Sequence, residues 1–484
     1  MTDWLPPAVT IAPLLPALII LGAAALVLVA DLLPPHTTKE HLGGIALAGV
    51  VGALLATISQ WGQEARAFRD MVRLDGFALF FNVVICYAAA LVLLISIDYL
   101  RRTGGECGEF YALVMFATLG MMLLAAAGDL IAMFLALETM SLSLYVLTGL
   151  FTSRLTSGEA SLKYFLLGAF ASAFLLYGIA LVYGATGATG LDRIAASAAA
   201  RGGDPLVVIG FGLILVGLGF KVSLVPFHMW VPDVYEGAPT SVTALIATGS
   251  KAAAFAALIR VLESALRSSR PGWVGLFEVL AIATMTVGNV VAIVQGNVKR
   301  MLAYSSVAHV GYMLVGLVAG SVEGVSAVLF YLLAYTFTTI GAFGVIALTH
   351  RAGEEAVDVA DYAGLARRHP FLAGALALFL LSLIGMPPLG GFMAKFYLFG
   401  AAVRSGHVAL AVIAVLNSAL AAYYYLRVIV YMYMREPEGA AASWAPSFAG
   451  GLALAVALVG VVLLGVVPAP FIELSQAAVA PLLR

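Results

Sequence analysis

Charge is scarce in this sequence: 25 Lys and Arg and 26 Asp and Glu make up 11% of 484 residues, with a formal net charge of −1. A chain without a basic surplus has no electrostatic footprint for nucleic acid. Cysteine is scarcer still. Cys86 lies in an apolar run and Cys107 in a polar turn, with no CxxC and no Cys/His cluster, so a disulfide framework, a zinc site and an iron–sulfur site are all excluded. No glycine-rich dinucleotide fingerprint and no Walker motif is present. Met1 to Pro13 carries Asp3 but no Lys or Arg. Without a basic n-region the first hydrophobic helix is expected to be retained rather than cleaved.

Apolar sequence is what abounds. Hydrophobic residues reach 62% and the mean hydropathy is +1.04, more than a soluble domain can hide, so the expected class is an all-α polytopic membrane protein. A spanning helix needs about 20 apolar residues. Runs of that length predict about fourteen spans, near 11–30, 42–60, 76–97, 109–126, 129–150, 161–184, 206–226, 240–262, 273–295, 302–320, 323–349, 371–403, 408–433 and 449–468. Loop Lys and Arg divide almost evenly between the two sides and leave the orientation open.

Spans seven and twelve are abnormal. The seventh runs into Lys221-Val-Ser-Leu-Val-Pro226, then a polar turn through Pro232, Gly237 and Pro239. The twelfth is interrupted by Gly385-Met-Pro387-Pro388-Leu-Gly390-Gly391 and resumes towards Lys395. Proline cannot donate the helical bond, so carbonyls freed at this depth need protein or water partners. A break beside a lysine, repeated five spans apart, suggests an internal duplication of about five helices, a pattern in which broken helices mark ion sites. Two unrelated proline kinks are the plainer alternative.

A charge at the bilayer centre costs about 2.5–3.5 kcal/mol on insertion scales, so charges kept there are informative. Glu138 sits within span five, Lys221 in span seven, Lys251 at the centre of span eight, Lys395 in span twelve and His309 in span ten. Burial disfavours the charged form of a lysine in general and a nearby carboxylate restores it, which suits a proton relay. Glu138 is the candidate partner for Lys221 or Lys251, and one carboxylate cannot neutralise three ammoniums. Blander roles are available elsewhere. Lys163 opens span six, where it can snorkel to the interface. His309 reads as a hydrogen-bonded core residue, Asp129 as a helix N-cap, His228 as a turn-shaping residue or a proton portal, and Lys299 with Arg300 as a loop anchor.

At these residues the sequence resembles a known family, the antiporter-like membrane subunits of respiratory complex I. Phe220-Lys221-Val-Ser-Leu-Val-Pro226-Phe-His228-Met-Trp230-Val-Pro232-Asp233-Val-Tyr235-Glu236-Gly-Ala-Pro239-Thr240 is similar to the family's seventh-helix signature almost throughout. Leu137-Glu138-Thr-Met-Ser-Leu-Ser-Leu-Tyr145 resembles its fifth-helix motif, Gly385 to Phe396 its twelfth, and Gln295 to Ser306 the segment before helix ten. Among the branches, a lysine at 395 fits the one designated N better than M, which carries a glutamate there.

The resemblance implies two inverted five-helix repeats, helices 4–8 and 9–13, with helices 7 and 12 broken. The implied divisions are 1–108 for the first three helices, 109–262 and 263–436 for the repeats, and 437–484 for the last helix. It implies a proton relay through Glu138, Lys221, Lys251 and Lys395, with Lys163 as a further member; His309 is added to the relay candidates by its place within span ten. No cofactor is expected in this chain; FMN, iron–sulfur clusters and quinone are expected in partner subunits. Other membrane-arm subunits (antiporter-like subunit M and small membrane subunits) and lipid are the implied partners, in a bacterial inner membrane. A cation/proton antiporter subunit, or an anchor that does not conduct, are the rival readings. A sodium site calls for carboxylates beyond Glu138, and an anchor leaves three buried lysines unexplained.

Overall fold

In hydrocarbon a backbone must satisfy its own N–H and C=O groups, so long apolar runs become helices. A computed structural model describes residues 12–33, 39–105, 107–201, 204–267, 270–351, 354–436, 443–444 and 447–482; residues 1–11, where most of the retained-helix expectation falls, lie outside them. The helices are α1 (Leu15–Asp31), α2 (Glu40–Ser59), α3 (Gly76–Thr103), α4 (Gly108–Ala126), α5 (Leu130–Thr148), α6 (Leu155–Thr186), α7 (Leu191–Arg201), α8 (Pro205–Val222), α9 (Val231–Gly237), α10 (Thr240–Leu245), α11 (Lys251–Arg260), α12 (Arg270–Ile293), α13 (Val298–Ala319), α14 (Val322–Leu348), α15 (Leu365–Arg368), α16 (Pro370–Ile384), α17 (Gly390–Arg404), α18 (Val408–Met434), α19 (Phe448–Val466) and α20 (Ala469–Val479).

Among the described residues twelve helices are long and apolar enough to cross a membrane, and Leu15–Asp31 and Pro370–Ile384 are shorter apolar helices. Every expected span finds its helix. The differences have local causes. Span seven stops at Val222 because Ser223 takes a left-handed conformation (φ 73°), and span twelve splits after Ile384, where Gly385 does the same (φ 93°). Pro226 and Pro388 follow, each after a cis peptide bond. The sequence pattern does not foreshadow α7, α20 or the small strands. These are a β1 (Ala65–Ala67)–β2 (Val72–Leu74) hairpin and a sheet in the order β4 (Glu354–Glu355), β3 (Thr349–Arg351), β5 (Ser443–Trp444).

Polar caps punctuate the apolar rods. Asp129 is an N-cap, accepting from Ile131 N at 2.8 Å, and Asp75 accepts from Ala78 N at 2.7 Å to start α3. The rod Thr240–Ala265 is wholly buried in its apolar window and α13 and α14 are 94% buried, against 33% for α6, so these three form the centre and α6 a flank. Small residues let the rods approach closely. A Cβ on Gly288 of α12 would lie 2.6 Å from Ala308 N of α13, and one on Gly311 would lie 2.4 Å from Met285 N. Membrane helices without a hydrophobic force between them associate through such contacts.

Candidate functional site

The ends of the two broken helices hold lysines in different ways. Lys221 occupies the last turn of α8, 3% exposed. Its Nζ lies 5.0 Å from the ring centres of both Tyr145 and Tyr164 and donates to Tyr145 Oη at 3.4 Å. Cation–π contact thus replaces a counter-ion. Trp230 stacks on Tyr164 with centroids 4.5 Å apart and donates its indole N–H to the freed carbonyl of Phe220 at 3.1 Å. At the other break the lysine takes the freed carbonyls itself. Lys395, 5% exposed on α17, donates to Leu383 O and Ile384 O at 2.9 Å each and to Ser418 Oγ at 2.7 Å.

Glu138 is half-buried on α5 and accepts from Ser172 Oγ of α6 at 2.5 Å. Among the described residues no ion pair joins it to Lys221; Tyr145, two turns further along α5, carries the contact to the lysine. The expected pair is therefore not in direct contact: Glu138 bonds Ser172 while Lys221 meets Tyr145.

Lys251 succeeds a π-helical turn, Ile246–Ser250, inside the central rod. A π turn admits one extra residue and rotates the next stretch of helix about its axis. The Lys251 Nζ donates to Ser306 O at 3.1 Å and hydrogen-bonds Ser306 Oγ. That hydroxyl also meets Tyr335 Oη at 2.8 Å and Tyr235 Oη at 3.2 Å. One turn along α13, His309 hydrogen-bonds Tyr331 Oη at 2.7 Å and Tyr425 Oη at 3.3 Å. His309 is thus the hydrogen-bonded core residue anticipated from the sequence. It also shares with Lys395, Tyr331, Tyr335, Thr338 and Ser382 the wall of a cavity of about 10 Å³, room for roughly one water. Tyr335, bonded to the hydroxyl on Lys251, thus meets His309 and Lys395 at the wall of one small cavity.

Lys163 stands apart. It is half-exposed, 2.7 Å from Glu159 Oε1 and 2.6 Å from Asp233 Oδ2, and Arg300 lies 2.8 Å from Asp233 Oδ1 and 2.6 Å from Glu236 Oε2. Burial works against the Asp233 carboxylate, but the bonds from Lys163 and Arg300 hold it below the ordinary range. Lys299 is buried and donates to Ala238 O at 2.8 Å.

Sequence reasoning located the charges and missed their company. Tyr164, Tyr235, Ser306, Tyr331, Tyr335, Tyr425 and Ser418 have no separate mark in the sequence; the available signal was tyrosine recurring in spans ten, eleven and thirteen. Among the described residues no group of three or more His, Cys, Asp or Glu is gathered as metal ligands would be.

A family profile described as NADH:quinone oxidoreductase/Mrp antiporter, TM, matches residues 127–421. The NADH-quinone oxidoreductase subunit N of Trichlorobacter lovleyi is 48% identical over 95% of this chain and 94% of its own, and that of Chloroflexus aggregans is 45% identical over 97% of both. Among solved structures, a chain of respiratory complex I from Thermus thermophilus with bound aureothin is 37% identical, with a TM-score of 0.81 over 95% of this chain and 98% of its own. A chain of the Mrp complex from Dietzia sp. superposes with a TM-score of 0.86 over 98% of both chains at 24% identity, a likeness of fold.

Proposed function

Given that the chain belongs to the subunit N family of NADH-quinone oxidoreductase, we propose that it carries protons through Lys221, Lys251, His309 and Lys395, with Glu138 biasing the first step. It is an antiporter-like membrane-arm subunit of that assembly, spanning a bacterial inner membrane beside partner subunits. The redox chemistry that drives it belongs to those partners.

One observation carries the relay. Lys221, Lys251 and Lys395 are each at most 5% exposed, and among the described residues none has a carboxylate in contact. A lysine kept for packing would be paired or replaced by an apolar residue, since a lone buried charge is costly. These three instead meet hydroxyls and carbonyls, and hydroxyls accept a proton on one side while releasing one on the other. Glu138, which bonds Ser172 rather than Lys221, can draw a proton onto that lysine by approaching and release it by withdrawing. Lys163, joined to α9 at the surface, positions the turn that carries Trp230 and is not a relay member in this reading. The two breaks, each with its lysine, support the division into half-channels at 109–262 and 263–436.

Lys221→Arg is the test. Arginine keeps the charge and the reach but does not release its proton at accessible pH, its pKa being above about 12. The variant is expected to assemble at normal abundance and to lose most quinone-dependent NADH oxidation and the accompanying pH gradient in vesicles. Near-normal pumping would make Lys221 a fixed charge.

A further inference from the structure

Resting on that relay, the geometry points to Glu355, paired with Lys299, as a further uptake site, one that takes protons from a cavity beside Arg102 and delivers them into the relay at Lys251, after Lys221. Glu355 belongs to β4, in the sheet that comes after α14. Its side chain is only 11% exposed although it sits in a connection between spans. Oε1 accepts from Tyr99 Oη and lies 3.5 Å from Arg154 Nη1. Oε2 accepts from Thr240 Oγ1 at 2.9 Å and lies 3.6 Å from Lys299 Nζ. One carboxylate thus gathers α3, the turn before α6, the start of the central rod and α13.

Two features point beyond bracing. First, Glu355 ends a cavity of about 220 Å³ whose wall includes Tyr99, Arg102, Thr103, Thr349 and His350. That is space for several waters, and the polar lining gives them partners. Arg102 Nη2, on that wall, is buried and has no hydrogen-bond partner among the described residues. Second, the other side of the carboxylate leads inward through groups that can move a proton. Thr240 opens the rod that carries Lys251. One turn on, Thr243 Oγ1 donates to the backbone carbonyl of Tyr235 at 3.0 Å and so holds the chain there, while the phenol of that residue, across its ring, meets Ser306 Oγ, the group on Lys251; the step from Thr240 to that phenol runs over water. Ser241 Oγ, next to Thr240, is buried and has no partner among the described residues, a place for a bridging water. An anchor alone does not need the carboxylate, because Lys299 already ties α13 to Ala238 and Arg300 ties it to Asp233 and Glu236.

Burial pushes the Glu355 carboxyl up, but Lys299, the hydrogen bonds from Tyr99 and Thr240, and Arg154 outweigh it and hold it below the ordinary range. Facing it are Tyr99 and Arg102 from α3, Arg154, Lys299 from α13, His350 from β3, and Tyr362. The carboxylate therefore rests ionised and holds a proton only in passing. Each passage takes one proton from cavity water onto the carboxylate and gives one up inward, so charge and atoms balance.

The experiment uses the assembled enzyme in membrane vesicles, with its abundance measured. Glu355→Gln keeps the shape and cannot carry a proton; NADH-driven proton translocation should fall about tenfold or more. Glu355→Asp should restore translocation, with its pH profile displaced from that of the unaltered enzyme. Glu355→Gln translocating at the unaltered rate overturns the proposal. Should that variant assemble poorly, an unaltered pH profile for Glu355→Asp overturns it equally. Lys251→Met is measured alongside. Free passage in Glu355→Gln with a block in Lys251→Met sinks the uptake site alone, whereas free passage in both sinks the relay itself.

Discussion

Tyr145 shares α5 with Glu138 and touches Lys221, the residue that the sequence presents as the partner of that carboxylate. Its hydroxyl contacts Lys221 at 3.4 Å, and a Cβ on Gly168 of α6 would come within 1.9 Å of that hydroxyl. Only glycine leaves the space the phenol occupies. Tyr145→Phe therefore removes the hydroxyl while keeping the ring over the ammonium, and translocation should fall about tenfold with the complex still assembled. Unchanged pumping in vesicles would show that Glu138 and Lys221 communicate without it. At this scale the sequence was legible where charge is rare: Glu138, Lys221, Lys251 and Lys395 announce themselves against an apolar background. Tyr145 and Ser306 do not, because hydroxyls are common in spans and their role depends on which neighbouring helix supplies the lysine. Glu355 was hidden differently, in a polar connection that reads as surface.

The elements that frame the site are held by contacts of contrasting kind. The short helix α9 is clamped to α6 and α13 by Asp233, Lys163 and Arg300. Because the Asp233 carboxyl is held below its ordinary value, the clamp contributes fully above the unfolded value of about 4. Its contribution fades as the pH falls through the lowered one. Amide exchange across Val231–Gly237 should accelerate at acid pH beyond the intrinsic rate, and Asp233→Asn should abolish that excess; an identical excess in the variant would place the acid sensitivity elsewhere. Proline and glycine made both helix breaks readable in advance, since each acts through the local backbone. The π turn at Ile246–Ser250 was not readable, because one additional residue leaves no compositional mark. Strands of two or three residues are too short to show alternation, and α7 lies in an alanine-rich polar connection rather than an apolar run.

Across the whole molecule, burial among the described residues is concentrated on Thr240–Ala265, α13 and α14, and two members of the proposed relay, Lys251 and His309, lie in that dense centre. The cavity beside His309 holds about one water and is walled by Tyr331 and Tyr335. Tyr335→Ala should widen it, and vesicles carrying that variant should lose an imposed pH gradient faster than those with the unaltered protein; equal decay would mean the phenol ring is not the barrier. In electrical terms, the narrowness of that chamber makes the resting chain an insulator. A membrane charged by respiration behaves as a capacitor, and a continuous thread of water at this point would short-circuit it whenever turnover paused. A one-water gap flanked by groups that must each rearrange gives a switch that passes current only when worked.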